Sequence, residues 1–185
     1  RVLFRSVSSL TAAQIGVFTT TELQGLATAQ LAALTATQLG SVTTTVLNNL
    51  TTSQVTALTS TQVRGLTAAQ IDGLSTANLN AIDAGDFSTT QLSNLAVATL
   101  DNLTTTQVAD LSSTQVGSLS TTQLDNLSTA NLQAIDAADF STAQLSALAG
   151  ATLDDLTTTQ AAGLNTTQSQ SLTVTQDRKS TRLNS

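Results

Sequence analysis

The 185-residue chain contains no cysteine, histidine, methionine, tryptophan, tyrosine or proline. No disulfide can hold it together, and the usual imidazole base, thiolate nucleophile and thiolate metal site are all excluded. Between Val7 and Gln176 there is also no lysine, and Arg64 is the lone cation among eleven carboxylates. A stretch so acidic cannot neutralise a row of phosphates, which argues against nucleic-acid binding. With these residue types missing, the reading is of a protein that is not an enzyme and carries no cofactor.

Five of the six basic residues sit in two terminal scraps. The tail "DRKSTRLNS" (Asp177 to Ser185) resembles a translated sequencing adapter, GAT CGG AAG AGC ACA CGT CTG AAC TCC. The opening "RVLFRS" (Arg1 to Ser6) resembles the start of the same oligonucleotide read from the opposite strand. Residues 1–6 and 177–185 are therefore set aside as artefacts. The body, 7–176, is expected to be an internal piece of a longer protein.

Ser, Thr, Gln, Ala and Leu dominate the body, and a bias of that kind calls for a search for repeats. Aligning on Leu gives a period of eight, as in "TTTQVADL" (Thr104 to Leu111) and "SSTQVGSL" (Ser112 to Leu119). Nineteen octads run from Thr11 to Leu172. Two pentads interrupt them, "DAGDF" (83–87) and "DAADF" (136–140), 53 residues apart. Ser75 to Leu103 and Ser128 to Leu156 agree at 23 of 29 positions, so a larger block of six octads and one pentad is duplicated within one array.

Each octad position has its own chemistry. Position 1 is Ser, Thr or Asn in sixteen units and position 4 is Gln or Glu in fourteen, the spacing of a capping box. Position 5 is Leu, Ile or Val in seventeen units and position 8 is apolar in all nineteen, the spacing of a hydrophobic staple. Position 7 is Gly, Asn or Asp in ten units, which suggests a left-handed residue closing each helix. Each octad thus reads as one short helix with a start and a stop. The fold expected is an all-α, elongated solenoid of short capped helices.

Two alternatives compete. One continuous helix would rotate its apolar stripe by roughly 80° per octad and carry it off any single partner. A β-solenoid suits the Thr, Val and Ile content, but the apolar spacings of 3 and 5 put positions 5 and 8 on opposite faces of a strand. No octad buries enough to offset ordering its own backbone, so neighbouring turns must stack. Small residues at positions 6 and 7 would let the turns approach. Ala161 and Ser169 at position 5 make the last two octads the weakest.

The pentads are the local departures, and they carry carboxylates three apart: Asp83 with Asp86, and Asp136 with Asp139. A calcium site is one reading, since hard cations take oxygen ligands. The simpler reading makes the first Asp a helix cap, puts the second in the place of the Gln, and lets the three missing residues reset the angular phase of the solenoid. Phe87 and Phe140, at the fifth pentad position, are expected to fill the space of a missing Leu. The Ser and Thr of positions 1–3 could form a hydroxyl array toward ice or a glycan surface, or could simply cap helices and keep them hydrated. Arg64 reads as a solvated side chain. Adjacent Asp154 and Asp155 diverge on a short helix and do not make an acid and base pair.

The tandem S/T-x-x-Q-L/I/V-x-x-L octad resembles the long repeat regions of large bacterial secreted or surface proteins of the adhesin type. That resemblance implies an extracellular or cell-surface stalk, spacer or coat, with self-association or a surface glycan as partner. The glycine-rich calcium-binding nonapeptides that sometimes accompany such regions do not occur here. Nothing in the array suggests insertion into a membrane.

Overall fold

The computed structural model describes residues 7–172, and both adapter-like ends lie outside that range. Among the described residues the chain is all-helical, with one short α-helix in every octad from Ala12–Gly16 to Thr166–Ser171 and no strand. The β-solenoid alternative is not supported. The helices are four to six residues long, too short to be stable in isolation. The chain divides between Leu95 and Ala96 into two compact units.

Capping does what the sequence asks of it. Thirteen octads form a complete box, in which the position 1 side chain accepts from the backbone N–H of position 4 while the position 4 side chain accepts from that of position 1. At Thr59 the two contacts are 3.3 and 2.9 Å. The cap residue is extended (Thr59 φ −81°, ψ 155°), so the chain enters each helix from a sharp corner.

The helix stops differ from expectation. No described residue, glycine or other, has a positive φ. Gly65 closes its helix at φ −81°, ψ −12°, still right-handed, and the chain then extends into the next cap. Small residues serve the other purpose, close approach between turns. A Cβ on Gly65 would lie 2.5 Å from Cβ of Ala36, and one on Gly40 would lie 2.8 Å from the carbonyl oxygen of Gly65. Gly117, by contrast, faces open space. Gly65→Ala should therefore lower the unfolding midpoint, because backbone must shift. Gly117→Ala should raise stability by about 0.5–1 kcal/mol by removing chain entropy; chemical denaturation of the two variants checks the opposite signs.

Within each unit, helices pack on those three repeats away. In the first unit Ala12–Gly16 contacts Ala36–Gly40, which contacts Ser60–Arg64; in the second Thr105–Ala109 contacts Thr129–Ala134. The core is a double row of aliphatic side chains. Position 5 is fully buried at Leu23, Leu31, Leu39, Leu92 and Leu145, and position 8 nearly so at Leu34, Leu66 and Leu119. Toward the end of the array Ala161 is half-buried and Ser169 exposed, so the last two octads lack this inner row.

Candidate functional site

The most distinctive chemistry belongs to the Gln of position 4, whose two amide atoms do separate jobs. Its Oε1 closes the cap within its own octad. Its Nε2 turns inward and donates to backbone carbonyls of the preceding turn. Gln62 Nε2 is 2.8 Å from both Leu31 O and Leu34 O. Gln54 reaches Leu26 O at 3.0 Å, and Gln70 reaches Val42 O at 2.7 Å. These side chains are buried, Gln62 to 2% exposure. At position 8 (Leu26, Leu34 and Val42) the row reaches carbonyls that the short helices leave without an intrahelical partner, while Leu31 O also accepts from Leu34 N at 3.1 Å.

The offset of these bonds fixes the winding. Gln62 bonds the position 8 carbonyl of Leu34, 28 residues or three and a half octads back, so each turn contains about three and a half repeats. Across the pentads the offset falls by three: Gln91 bonds Val63 O and Leu66 O, 28 and 25 residues back, and Gln144 does the same to Val116 O and Leu119 O. Each pentad therefore fills the slot of one octad. The expectation that pentads reset the angular phase is corrected, because the register continues through them unbroken. Six octads and one pentad make seven slots, two turns, which is why the sequence repeats at 53 residues and not at 28.

Within the pentads, Gln168 donates to Ala137 O at 2.9 Å and to Phe140 O at 2.8 Å. Ala137 thus stands at position 5 and Phe140 at position 8. Phe87 and Phe140 are each 2% exposed and Ala84 and Ala137 are buried beside them, so one large ring compensates for one small side chain. Asp83 and Asp136 cap a 3₁₀ turn, accepting from Gly85 N and Ala138 N at 2.9 Å. The second Asp does not take the Gln position. Asp86 and Asp139 instead close the turn through their backbone N–H groups, 3.0 Å from Asp83 O and Asp136 O. The spacing is that of an octad's box, but an Asp side chain is one methylene shorter than Gln or Glu, and the Asp139 carboxylate bonds Ser113 instead.

Among the described residues no three acidic side chains gather in a way that could hold a metal ion. Asp83 and Asp136 are exposed and spent on capping. Burial and the neighbouring Asp136 charge push the Asp139 carboxyl above its ordinary range, against a hydrogen bond from Ser113 that lowers it. A raised folded pKa means that Asp139 favours the fold below its unfolded pKa and loses that contribution as pH rises through the folded value. Asp136→Asn keeps an oxygen for the cap and removes the charge. It should therefore move the Asp139 titration to lower pH in NMR and increase stability at neutral pH.

The remaining candidates lie apart from the glutamine row. Thr37, Thr61, Thr106 and Thr122 at position 3 are exposed on their separate helices. Arg64 is not simply solvated, since its Nε donates to Asp86 O at 3.2 Å. It lines an open groove with Thr67, Asp72, Ser88 and Asn94. Asp154 and Asp155 lie on the helix Gly150–Asp155, where the Asp155 carbonyl accepts from Gln133 at 2.7 Å. No described helix is long and apolar enough to cross a membrane.

The inward role of Gln was missed in the sequence, although composition signals it. A capping box accepts Glu as readily as Gln, yet thirteen of the fourteen position 4 residues are Gln. The exception, Glu22, is exposed and makes both cap contacts to Thr19 at 2.9 Å, which hold its carboxyl below the usual range. The excess of Gln marks a need for a donor as well as an acceptor. Comparison of the chain with known proteins finds no matching family model, no matching curated protein and no matching solved structure.

Proposed function

We propose that this chain is a structural segment, a stalk, spacer or surface coat, of a larger extracellular protein, with an adhesive role through lateral association as part of the same reading. The observation that carries this is where the polar side chains go. The position 1 hydroxyls cap helices and the position 4 carboxamides tie one turn to the next. The pentad carboxylates Asp83 and Asp136 cap as well. The chemistry of the repeat is spent on holding the repeat together, as a load-carrying scaffold requires. A fixed two-turn block that can be duplicated also gives a chain a simple way to set length.

The rival is a binding module that uses the exposed Thr rows on an ice or glycan surface, or the pentads for calcium. Thermal unfolding with millimolar calcium and with chelator, together with an ice-recrystallisation assay and a glycan array, separates the two. The scaffold reading expects the same midpoint in calcium and chelator, and no activity on ice or glycans. A midpoint raised by calcium, or surface binding abolished by Thr61→Ala and Thr122→Ala, would replace it with the binding module.

A further inference from the structure

An array of near-identical octads has a problem of its own: one unit could be looped out and the next turn would find an almost equivalent partner. Three octads without Gln or Glu at position 4 bear on this. Asn78 is too short to reach its own cap, and the Ser75 N–H is taken by Asn48 Oδ1 at 2.5 Å, 27 residues back. Asn78 still donates to Asn48 O and Leu50 O at 2.9 and 3.0 Å. One block later the Ser128 N–H is accepted by Asp101 Oδ1 at 2.7 Å, with Asn131 donating to Asp101 O and Leu103 O. At the third site Asp125 Oδ1 accepts from Ala149 N at 3.0 Å and from the Thr152 hydroxyl at 2.5 Å. In each case position 6 of the preceding turn supplies the cap that the octad cannot make for itself.

We infer that these pairs, Asn48 with Ser75, Asp101 with Ser128 and Asp125 with Ala149, are register pins that fix which octad stacks on which. A self-capped octad accepts any neighbour, because Gln donates to backbone carbonyls present in every repeat. A pinned octad accepts only one. Displacement by one octad would bring Gly40 or Thr56 to the place of Asn48, Ser93 or Ala109 to the place of Asp101, and Gly117 or Gln133 to the place of Asp125. Gly and Ala offer no side-chain acceptor, the shorter Thr56 and Ser93 hydroxyls are turned to Thr52 O and Thr90 O of their own helices at 2.9 and 3.1 Å, and Gln133 is longer than Asp and anchored by its Nε2 on Asp155 O. The cap N–H would then be left without its partner, at a cost that an unpinned octad does not incur.

The pin can be tested apart from the cap it makes. The same chain shows that Gln serves an Ala cap, since Ala27 N lies 2.9 Å from Gln30 Oε1. Asp125→Ala in the full chain should lower the unfolding midpoint, and adding Thr152→Gln should restore it by supplying a cap within the octad. Register is read by disulfide formation. A Cβ at Gly163 would lie 3.7 Å from Cβ of Ala137, within reach of a disulfide, so A137C/G163C reports the native stacking. A137C/D155C and A137C/S171C report displacement by one octad either way. Expected are native cross-links alone in the parent and in Asp125→Asn, which keeps an acceptor oxygen. Displaced cross-links should appear in Asp125→Ala and persist in the rescued double variant. Native cross-links alone in that double variant would overturn the inference and leave Asp125 as a cap only, and an unchanged midpoint in Asp125→Ala would remove even that role.

Discussion

Gln62→Glu will be among the most damaging single changes in this protein at neutral pH, while Gln14→Glu will be nearly silent. The two side chains occupy the same position in their octads and make the same cap contacts. Gln14 is exposed, however, and Gln62 is 2% exposed with Nε2 held between two carbonyl oxygens. Replacing the amide by a carboxylate aims negative charge at two acceptors in a dry site. Gln62→Ala gives the scale of the lost bonds: Leu31 O keeps the Leu34 N–H at 3.1 Å, but the buried Leu34 O loses its side-chain donor at a cost of about 1–3 kcal/mol, and the lost cap adds about 1. The Glu variant should exceed that, because an uncompensated buried charge is worse than an absent partner. Its pKa will be raised by the fold, so the damage should be largest above that pKa. It should shrink on acidification, as the protonated acid regains one donor. Chemical denaturation at neutral and acid pH measures both. Equal effects of the change at positions 14 and 62 would mean that Gln62 acts only as a cap.

Phe87→Ala and Phe140→Ala should each cost about 3–5 kcal/mol, the range for emptying a buried aromatic site. The slot gives little room for recovery. A pentad has one 3₁₀ turn where an octad has a helix, its other inward residue is Ala84 or Ala137, and the Phe ring supplies most of the volume between the neighbouring turns. Phe87→Leu should be milder but still destabilising, since it leaves the pentad with less bulk than an octad that brings two Leu. The loss should show as a lowered denaturation midpoint. A Phe87→Ala variant as stable as the parent would mean that the pentad hangs outside the stack and fills no slot.

Much of the fold was legible because its logic is local. The cap at position 1, the Gln at position 4 and the apolar residues at 5 and 8 each act within one octad, and the helix that forms is the one their spacing calls for. What was not legible depends on the neighbouring turn. Gly65 reads as a helix stop, yet it is small because Ala36 is beside it. The Asp pentads read as a phase change, yet they hold register because the carbonyls of Ala137 and Phe140 fall where an octad would place its own. Asp101 and Asp125 carry no signal within their own octads, yet they cap helices 27 and 24 residues further on. An eight-residue period gives the contents of a unit. The number of units per turn comes from the angle between them, and the bonds of the position 4 Gln are what expose it.

Those bonds are therefore the place to test the structure. Hydrogen exchange of the glutamine side-chain amides, followed by NMR on the folded chain, reads them directly. The account predicts slow exchange at Gln54, Gln62, Gln70, Gln91, Gln144 and Gln168, with Gln14 exchanging at the rate of free amide. Rapid exchange at all of them, in a chain that remains helical, would contradict the stacking described here.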